Sequence, residues 1–112
     1  MEQKSILIEL FGRTPELRVI DFLLENNIFD YTKTEIARGA GITRPTLYRF
    51  WNKLEKAGLV TETRKINRTQ LYKINLESPI IKKIMEIEMK VSLKEVDIKK
   101  PREIEPVSVR IR

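Results

Sequence analysis

The side chains best suited to binding a partner lie between residues 43 and 69, where basic and hydrogen-bonding residues alternate with apolar ones. Two arginines five positions apart, Arg44 and Arg49, could each donate a pair of hydrogen bonds to acceptors such as guanine O6 and N7. Pro45 and Thr46 could touch thymine methyl groups, and Tyr48 could reach a phosphate or a base edge. The chemistry on offer is hydrogen bonding and charge neutralisation.

Other chemistries lack the residues they need. The 112 residues include no cysteine and no histidine, which excludes disulfides, thiolate or imidazole metal sites, and catalysis by either side chain. No glycine-rich phosphate loop, Ser/Lys arrangement or paired carboxylate stands out. We therefore expect no enzyme activity, no cofactor and no metal.

The length and hydropathy of the chain predict one soluble domain. No apolar run approaches the ~20 residues that a membrane span needs, and the N-terminus lacks the layout of a signal peptide. We therefore expect a cytoplasmic protein with no membrane partner.

Charge is distributed unevenly along the chain. The whole sequence carries a net charge of +6. Residues 31–75 hold 10 basic and 3 acidic side chains, a net charge of +7, whereas residues 1–30 have a net charge of −3. A basic face is common on soluble proteins, but a middle segment this polarised also fits an anionic partner.

A first helix is predicted after a short N-terminal arm, residues 1–13, whose residues 2–11 could form a helix or a strand. Thr14 has the position of an N-cap and Pro15 that of the first helical residue. Apolar residues at helical spacing continue to Glu25, and the apolar pair at 28–29 is expected to pack beneath this helix.

The next segment predicts two helices joined by a tight turn. Thr32 and Glu35 form a capping box, and Gly41 ends the short helix that they begin. Thr43 caps the following helix, and Gly58 stands where a left-handed C-cap belongs. The inner faces are apolar: Ile36, Ala37 and Ala40 in the first helix, and Leu47, Phe50, Trp51, Leu54 and Ala57 in the second.

After Gly58, the spacing of the apolar residues changes from helical to alternating. Residues 59–63 and 70–74 read as the strands of a hairpin whose tip lies near Asn67 and Arg68, with the turn type left open because no glycine is present. The polar connection between the strands, residues 64–69, is basic and could contact a phosphate ridge or a minor groove. Lysine and arginine also protect exposed strand edges, which is the alternative explanation.

Ser78 and Pro79 predict the start of a last helix, over residues 77–93. It carries one apolar edge, formed by Ile80, Ile84, Ile87 and Val91. This edge either joins two copies of the chain or packs back on its own domain. Residues 94–112 are charged and contain prolines, and we expect them to form a flexible tail.

The motif T-x-x-E-I-A-x-x-A-G-I-T-x-x-T-L-Y-R, followed by L-E-K-A-G-L-V and the basic hairpin, resembles winged helix-turn-helix transcriptional regulators of the MarR/ArsR type from bacteria and archaea. The resemblance covers residues 14–76. It implies a mainly α fold with a small β-hairpin (α+β), a winged helix-turn-helix with an added C-terminal helix. It also implies a sequence-specific regulator that binds double-stranded DNA.

The candidate contacts have two sources. The resemblance places Arg44, Pro45, Thr46, Tyr48, Arg49, Arg64, Lys65, Asn67 and Arg68 at family contact positions, and the polar faces of the helix and the hairpin tip add Thr43, Asn52, Lys53 and Thr69. On the recognition helix, residues 43–57, we expect contacts from Thr43, Arg44, Pro45, Thr46, Tyr48, Arg49, Asn52 and Lys53. On the wing we expect contacts from Arg64, Lys65, Asn67, Arg68 and Thr69.

One recognition helix reads only a few base pairs, so we expect a homodimer joined through the last helix. The alternative is a winged-helix protein–protein module of a transcription, replication or partition assembly. Two departures from the family pattern are visible. The Cys/His ligands of ArsR-like metal sensors are absent, and the helical arms are shorter than in MarR-type members.

Overall fold

A computed structural model describes residues 6–99 of the chain. Its helices are α1 (Ile6–Phe11), α2 (Pro15–Glu25), α3 (Lys33–Ala40), α4 (Arg44–Lys56) and α5 (Pro79–Lys99), and its strands are β1 (Val60–Ile66) and β2 (Thr69–Ile74). This order confirms the predicted fold class: helices, one two-stranded hairpin and a C-terminal helix. Within the N-terminal arm, Ile6–Phe11 are helical, and Gly12 and Arg13 are not.

The helices begin at the predicted caps because short polar side chains bind the otherwise unpaired amides. Thr14 Oγ1 accepts a hydrogen bond from the Leu17 amide at 3.2 Å. Thr32 and Glu35 form the complete capping box, with Thr32 Oγ1 3.1 Å from the Glu35 amide and Glu35 Oε1 2.9 Å from the Thr32 amide. Such a cap contributes about 1 kcal/mol to the free energy of unfolding.

The turn between α3 and α4 depends on Gly41, whose φ of 73° lies in the left-handed region. Glycine adopts this conformation without a steric penalty, so the helix can end abruptly. The amide of Ile42 then binds the Ala37 carbonyl at 2.9 Å, and Thr43 caps α4. Only three residues separate the two helices, which fixes their relative position.

Every helix and both strands contribute side chains to the core, whereas the hairpin tip contributes none. Leu47, Phe50, Trp51 and Leu54 bury the inner face of α4, as predicted, whereas Ala57 is exposed at the C-cap. The same core contains Leu7, Val19, Ile20, Leu23, Leu24, Ile36, Ala37, Ala40, Leu59, Val60, Tyr72, Ile74 and Ile81. Ile42 is half-buried at its edge.

The wing is longer than predicted. Strand β1 continues through Ile66, so most of the expected basic loop is paired strand, and only Asn67 and Arg68 form the turn. Asn67 has a φ of 59° and Arg68 does not have a positive φ, which is the φ pattern of a type II′ turn. The pairing slips between Glu62 and Arg64, which makes Thr63 the extra residue of a β-bulge.

A short backbone bridge ties the wing to the rest of the domain. The amide and carbonyl of Tyr31 pair with those of Tyr72, both at 2.8 Å. Tyr31 also lies beside Phe22, with ring centroids 5.2 Å apart. Strand β2 is therefore held on both sides, by β1 and by the segment before α3.

The predicted burial of Ile28 and Phe29 is wrong, because these side chains are 76% and 61% exposed. Asn26 and Asn27 turn the chain outward by donating to α2 carbonyls, at 2.8 Å to Phe22 and 2.7 Å to Leu24. Tyr31 packs against the Phe22 ring of α2 instead.

The last helix begins at the predicted cap, where Ser78 Oγ accepts from the amides of Ile80 and Ile81 at 3.2 and 3.3 Å. The predicted end at residue 93 is too early, because α5 continues to Lys99. Residues 94–99 are therefore helix rather than tail, and 100–112 lie outside the described residues. Within residues 6–99, every helix is too short or too polar to cross a lipid bilayer.

Candidate nucleic-acid interface

The outer face of α4 carries the predicted recognition residues. Its apolar face is buried in the core, so the opposite face must point to solvent. Thr43, Arg44, Pro45, Tyr48, Arg49, Asn52 and Lys53 are exposed, and Thr46 is half-buried. The fold therefore brings all eight predicted residues together on one side of a helix whose position the core fixes.

These residues differ in how free they are. Within the described part of the chain, Arg49 has no hydrogen-bond or ion-pair partner. Arg44 Nη1 donates to Thr34 Oγ1 on α3 at 3.2 Å. The Thr43 and Thr46 hydroxyls lie 2.9 Å apart and share one hydrogen bond, while Thr43 also caps the helix. Arg49 is thus the arginine of this face that is most available to a ligand.

The wing presents four of its five predicted contact residues without an ion pair among the described residues. Lys65, Asn67, Arg68 and Thr69 are exposed at or beside the turn. Arg64 is different because its guanidinium binds Asp30 through two contacts, Nε to Oδ2 at 2.9 Å and Nη2 to Oδ1 at 3.1 Å. The structure ties this side chain to the segment before α3.

The Arg64–Asp30 pair also changes the acidity of the carboxyl group. The hydrogen bond from Arg64 lowers the pKa of Asp30 to about 2, helped by a second hydrogen bond from Thr63 Oγ1 at 2.5 Å. Both donors stabilise the carboxylate form. The β-bulge at Thr63 allows two consecutive residues of β1 to reach the same carboxylate.

Lys33 is a candidate that the sequence analysis missed. It is the first residue of α3, and its Nζ lies 5.4 Å from the ring centroid of Tyr48, 5.6 Å from that of Trp51 and 5.5 Å from that of Tyr72. Each distance is within the range of a cation–π contact. Lys33 thereby connects α3, α4 and β2.

The rings that surround Lys33 are themselves packed together. Trp51 is buried and meets Tyr72 edge to face, with centroids 5.0 Å apart. The Tyr72 hydroxyl donates to Gln70 Oε1 at 3.2 Å, and Gln70 Nε2 donates to Glu62 Oε2 at 2.8 Å. Burial raises the pKa of the Tyr72 hydroxyl, with further increases from the charges of Glu55 and Glu62.

An open cleft of about 220 Å³ lies beside this group, between α3, α4 and the wing. Its charged lining residues are Lys33 and Arg68. The remaining lining residues are Thr32, Thr34, Tyr48, Thr69, Gln70 and Tyr72. The cleft therefore offers two cations, several hydroxyl groups and no carboxylate.

Acidic side chains gather elsewhere, between α2 and α5. Burial raises the pKa of Glu88, and the nearby charges of Asp21 and Glu25 raise it further. The pKa of Glu25 is raised by burial and by Asp21. Among the described residues, no group of carboxylates has the composition of a metal site.

The chain matches a known protein family. Residues 6–74 fit the model of the Crp-like helix-turn-helix domain, which spans α1 through β2. The comparison with curated protein sequences gives no match.

Several solved structures share the fold. NadR in complex with 4-hydroxyphenylacetate superposes with a TM-score of 0.58 at 26% identity, covering 83% of this chain and 66% of that chain. A homodimeric winged helix-turn-helix DNA-binding domain from Mycobacterium bovis, a possible ArsR-family regulator, gives 0.57 at 19% identity, covering 80% and 77%. A mutant of ZitR from Lactococcus lactis gives 0.51 at 17% identity, covering 74% and 60%. This chain thus spans just under two thirds of the NadR chain.

These comparisons confirm the winged helix-turn-helix fold and the resemblance drawn from the sequence. The family and the fold are those of DNA-binding regulators rather than of enzymes.

Proposed function

The chain belongs to the Crp-like helix-turn-helix domain family, and from that membership we propose that it is a transcriptional regulator that reads a specific sequence of double-stranded DNA as a homodimer. Residues 14–76 form the DNA-binding unit in this proposal, and α5 joins the two copies.

The recognition step is assigned to α4. An α-helix with its side chains is about 10–12 Å across, which matches the ~12 Å width of the major groove. The observation that carries the proposal is that Arg49 is exposed and unpaired among the described residues, on a helix whose other face is buried. A guanidinium in that position can donate two hydrogen bonds to guanine.

The wing is assigned to the adjacent backbone or minor groove. Asn67 and Arg68 form its two-residue turn. Lys65 lies two residues before the turn, and Thr69 comes directly after it. Arg64 contributes less directly in this proposal, because Asp30 holds it. Its role is to fix the base of the wing against the domain.

The dimer is assigned to α5 because several of the helix's apolar side chains are exposed in the part of the chain that the structure describes. Ile80 is 50% exposed and Ile87 is 40% exposed, whereas Ile84 packs against the core. Helix α1 packs beside α5 and adds the exposed Leu10 and Phe11. Exposed apolar groups arranged along one helix are typical of an association surface.

The proposal is tested by selecting bound duplexes from random DNA and measuring the mass of the protein in the recovered complex. We expect enrichment of a two-fold symmetric sequence whose half-sites lie about 10 bp apart, with two chains per duplex. A scrambled duplex of the same composition is the control. Equal affinity for the selected and scrambled duplexes would contradict sequence-specific recognition, and a single chain per duplex would contradict the dimer.

A further inference from the structure

We propose that the cleft between α3, α4 and the wing binds one phosphate of the DNA backbone, and that Lys33 is the residue that binds it. This inference rests on the proposed function and extends it to a residue that the sequence did not single out.

The first argument is that Lys33 places a positive charge at the N-terminus of α3, where the helix dipole disfavours a cation. Lys33 is the first residue of α3, so its ammonium adds to the positive end of the helix dipole. Within the described part of the chain, no carboxylate forms an ion pair with it. A positive charge that is repelled by its own helix and lacks a counter-ion favours an anion from outside.

The second argument is that the ammonium is held in a fixed position. The rings of Tyr48, Trp51 and Tyr72 lie at nearly equal distances from Nζ, 5.4 to 5.6 Å. Aromatic faces attract a cation without neutralising its charge. Lys33 is therefore restrained and remains a full positive charge at the cleft.

The third argument is the composition and size of the cleft. Arg68 lies on the wing and supplies a second cation, and three lining residues, Thr34, Tyr48 and Thr69, carry hydroxyl groups. A volume of about 220 Å³ exceeds a phosphate group and leaves room for several waters, each occupying about 30 Å³ in the liquid.

The fourth argument is the geometry of the duplex. In the proposed complex α4 occupies the major groove and the wing reaches the adjacent minor groove, and the ridge between two neighbouring grooves is a phosphodiester strand. The cleft between α4 and the wing is the part of the protein that faces that ridge. A backbone phosphate, rather than a base, is therefore the group that meets Lys33.

The test compares Lys33→Gln with wild type on the selected duplex across a range of salt concentrations. Loss of one phosphate contact per chain, two per dimer on the duplex, should reduce the slope of log K against log[salt] by about 1.8. Raising the salt from about 50 to about 200 mM should then weaken wild type roughly 12-fold more than it weakens the variant. Lys33→Arg should retain the wild-type slope. Lys82→Gln is the matched control, because Lys82 is exposed on α5, outside the cleft.

A second measurement identifies the phosphate. Replacing the phosphates of the duplex one at a time by uncharged methylphosphonates should reveal one position in each half-site that weakens wild type but leaves Lys33→Gln unchanged. The same position should be coupled to Arg68→Gln, which provides the test should Lys33→Gln fail to fold. The fluorescence of Trp51, the single tryptophan, reports whether each variant is folded.

The outcomes separate the two proposals. If wild type binds no duplex, the proposed function fails and this inference fails with it. If wild type binds but Lys33→Gln keeps the same slope and the same sensitivity to every methylphosphonate, only the phosphate site is overturned. If inorganic phosphate, at matched ionic strength, displaces the duplex from wild type more than chloride does but not from Lys33→Gln, the free anion competes with the duplex for the cleft, which supports a backbone phosphate bound by Lys33.

Discussion

Arginines that look equivalent in the sequence differ in what holds them. Arg49 is exposed without a partner among the described residues, Arg44 donates to Thr34, and Arg64 is bound through two contacts to Asp30. A guanidinium carries five N–H donors, so an arginine that is already paired keeps fewer of them, and less freedom to reorient, for a further partner. The positive charge of the middle segment is therefore divided between groups available for binding and groups that hold the wing.

At the scale of single residues, Arg49 and Arg68 are expected to contribute differently to DNA binding. Arg49→Ala should lose about 1–3 kcal/mol of discrimination in each half-site, roughly five- to 150-fold per half-site, because a bidentate base contact is lost. Arg68→Ala should weaken all duplexes about equally, because a phosphate contact carries no sequence information. Titrations with the selected and scrambled duplexes measure both effects.

The control for the Arg49 and Arg68 substitutions is Lys82→Ala on α5, which should leave the affinities for the selected and the scrambled duplex unchanged. The assignment of Arg49 to base recognition is wrong if Arg49→Ala weakens both duplexes by the same factor. The assignment of Arg68 to the backbone is wrong if its loss alters only the selected duplex.

The Asp30–Arg64 pair predicts a specific dependence of stability on pH. The pKa of Asp30 is lowered from 3.8 to about 2 in the folded protein. Because a lowered pKa means that folding favours the carboxylate, the stabilisation is fully present above the unfolded pKa and is lost as the pH falls through the folded one. Wild type should therefore lose its advantage over Asp30→Asn between about pH 4 and pH 2.

Urea unfolding of the two proteins at several pH values measures this difference. Arg64→Gln should lose less stability than wild type as the pH falls from about 4 to about 2, because the principal hydrogen-bond donor to the Asp30 carboxylate is absent. A difference between wild type and Asp30→Asn that stays constant from pH 5 to pH 2 would contradict the pairing.

At the scale of elements, the close approach of α2 and α3 depends on Gly39. A Cβ at this position would lie inside van der Waals distance of the Phe22 ring carbons. Alanine is ordinarily the better helix former by about 1 kcal/mol. In this helix, however, Gly39→Ala should destabilise the protein, because the ring packed against Tyr31 must move.

A double-mutant cycle checks the origin of that effect. In the Phe22→Ala background, where the ring is absent, Gly39→Ala should stabilise the protein by up to about 1 kcal/mol. Thermal or urea unfolding of the four proteins gives the values. Stabilisation by Gly39→Ala in the wild-type background would show that the two helices are not in close contact.

At the scale of the whole molecule, α5 extends along a molecule of 57 × 28 × 21 Å. Its 21 residues make a helix about 31 Å long at 1.5 Å per residue. Ile81 is buried, and Ile84 packs against the core, whereas Ile80, Ile87 and Met89 face solvent. One part of the apolar edge predicted from the sequence thus packs against the domain, and the other part is exposed and available to a second copy of the chain.

Ile87→Glu should therefore produce a folded monomer. The side chain is exposed, so its replacement leaves the core intact, whereas a carboxylate in an apolar seam is costly to bury. Sedimentation measures the mass, and the affinity for the selected duplex should fall because one recognition helix reads only half of the site. Glu86→Gln, on the exposed polar face of α5, should remain dimeric. A dimeric Ile87→Glu would place the seam elsewhere.

Sequence alone determined the features whose causes are local. The threonine and serine caps, the left-handed residues Gly41 and Gly58, and the apolar stripe of α4 depend on residues within a few positions of one another. The helix-turn-helix and the exposed face of its second helix follow from them, and both were predicted correctly.

Tertiary structure decided the features that depend on residues far apart in the chain. Lys33 meets rings at positions 48, 51 and 72 only after α3, α4 and β2 have packed. The Arg64–Asp30 pair spans 34 positions and requires a bulge at Thr63 that no local signal marked. Whether Ile28, Ile84 or Ile87 is buried depends on which neighbour covers it, because hydrophobicity favours burial but does not choose the partner.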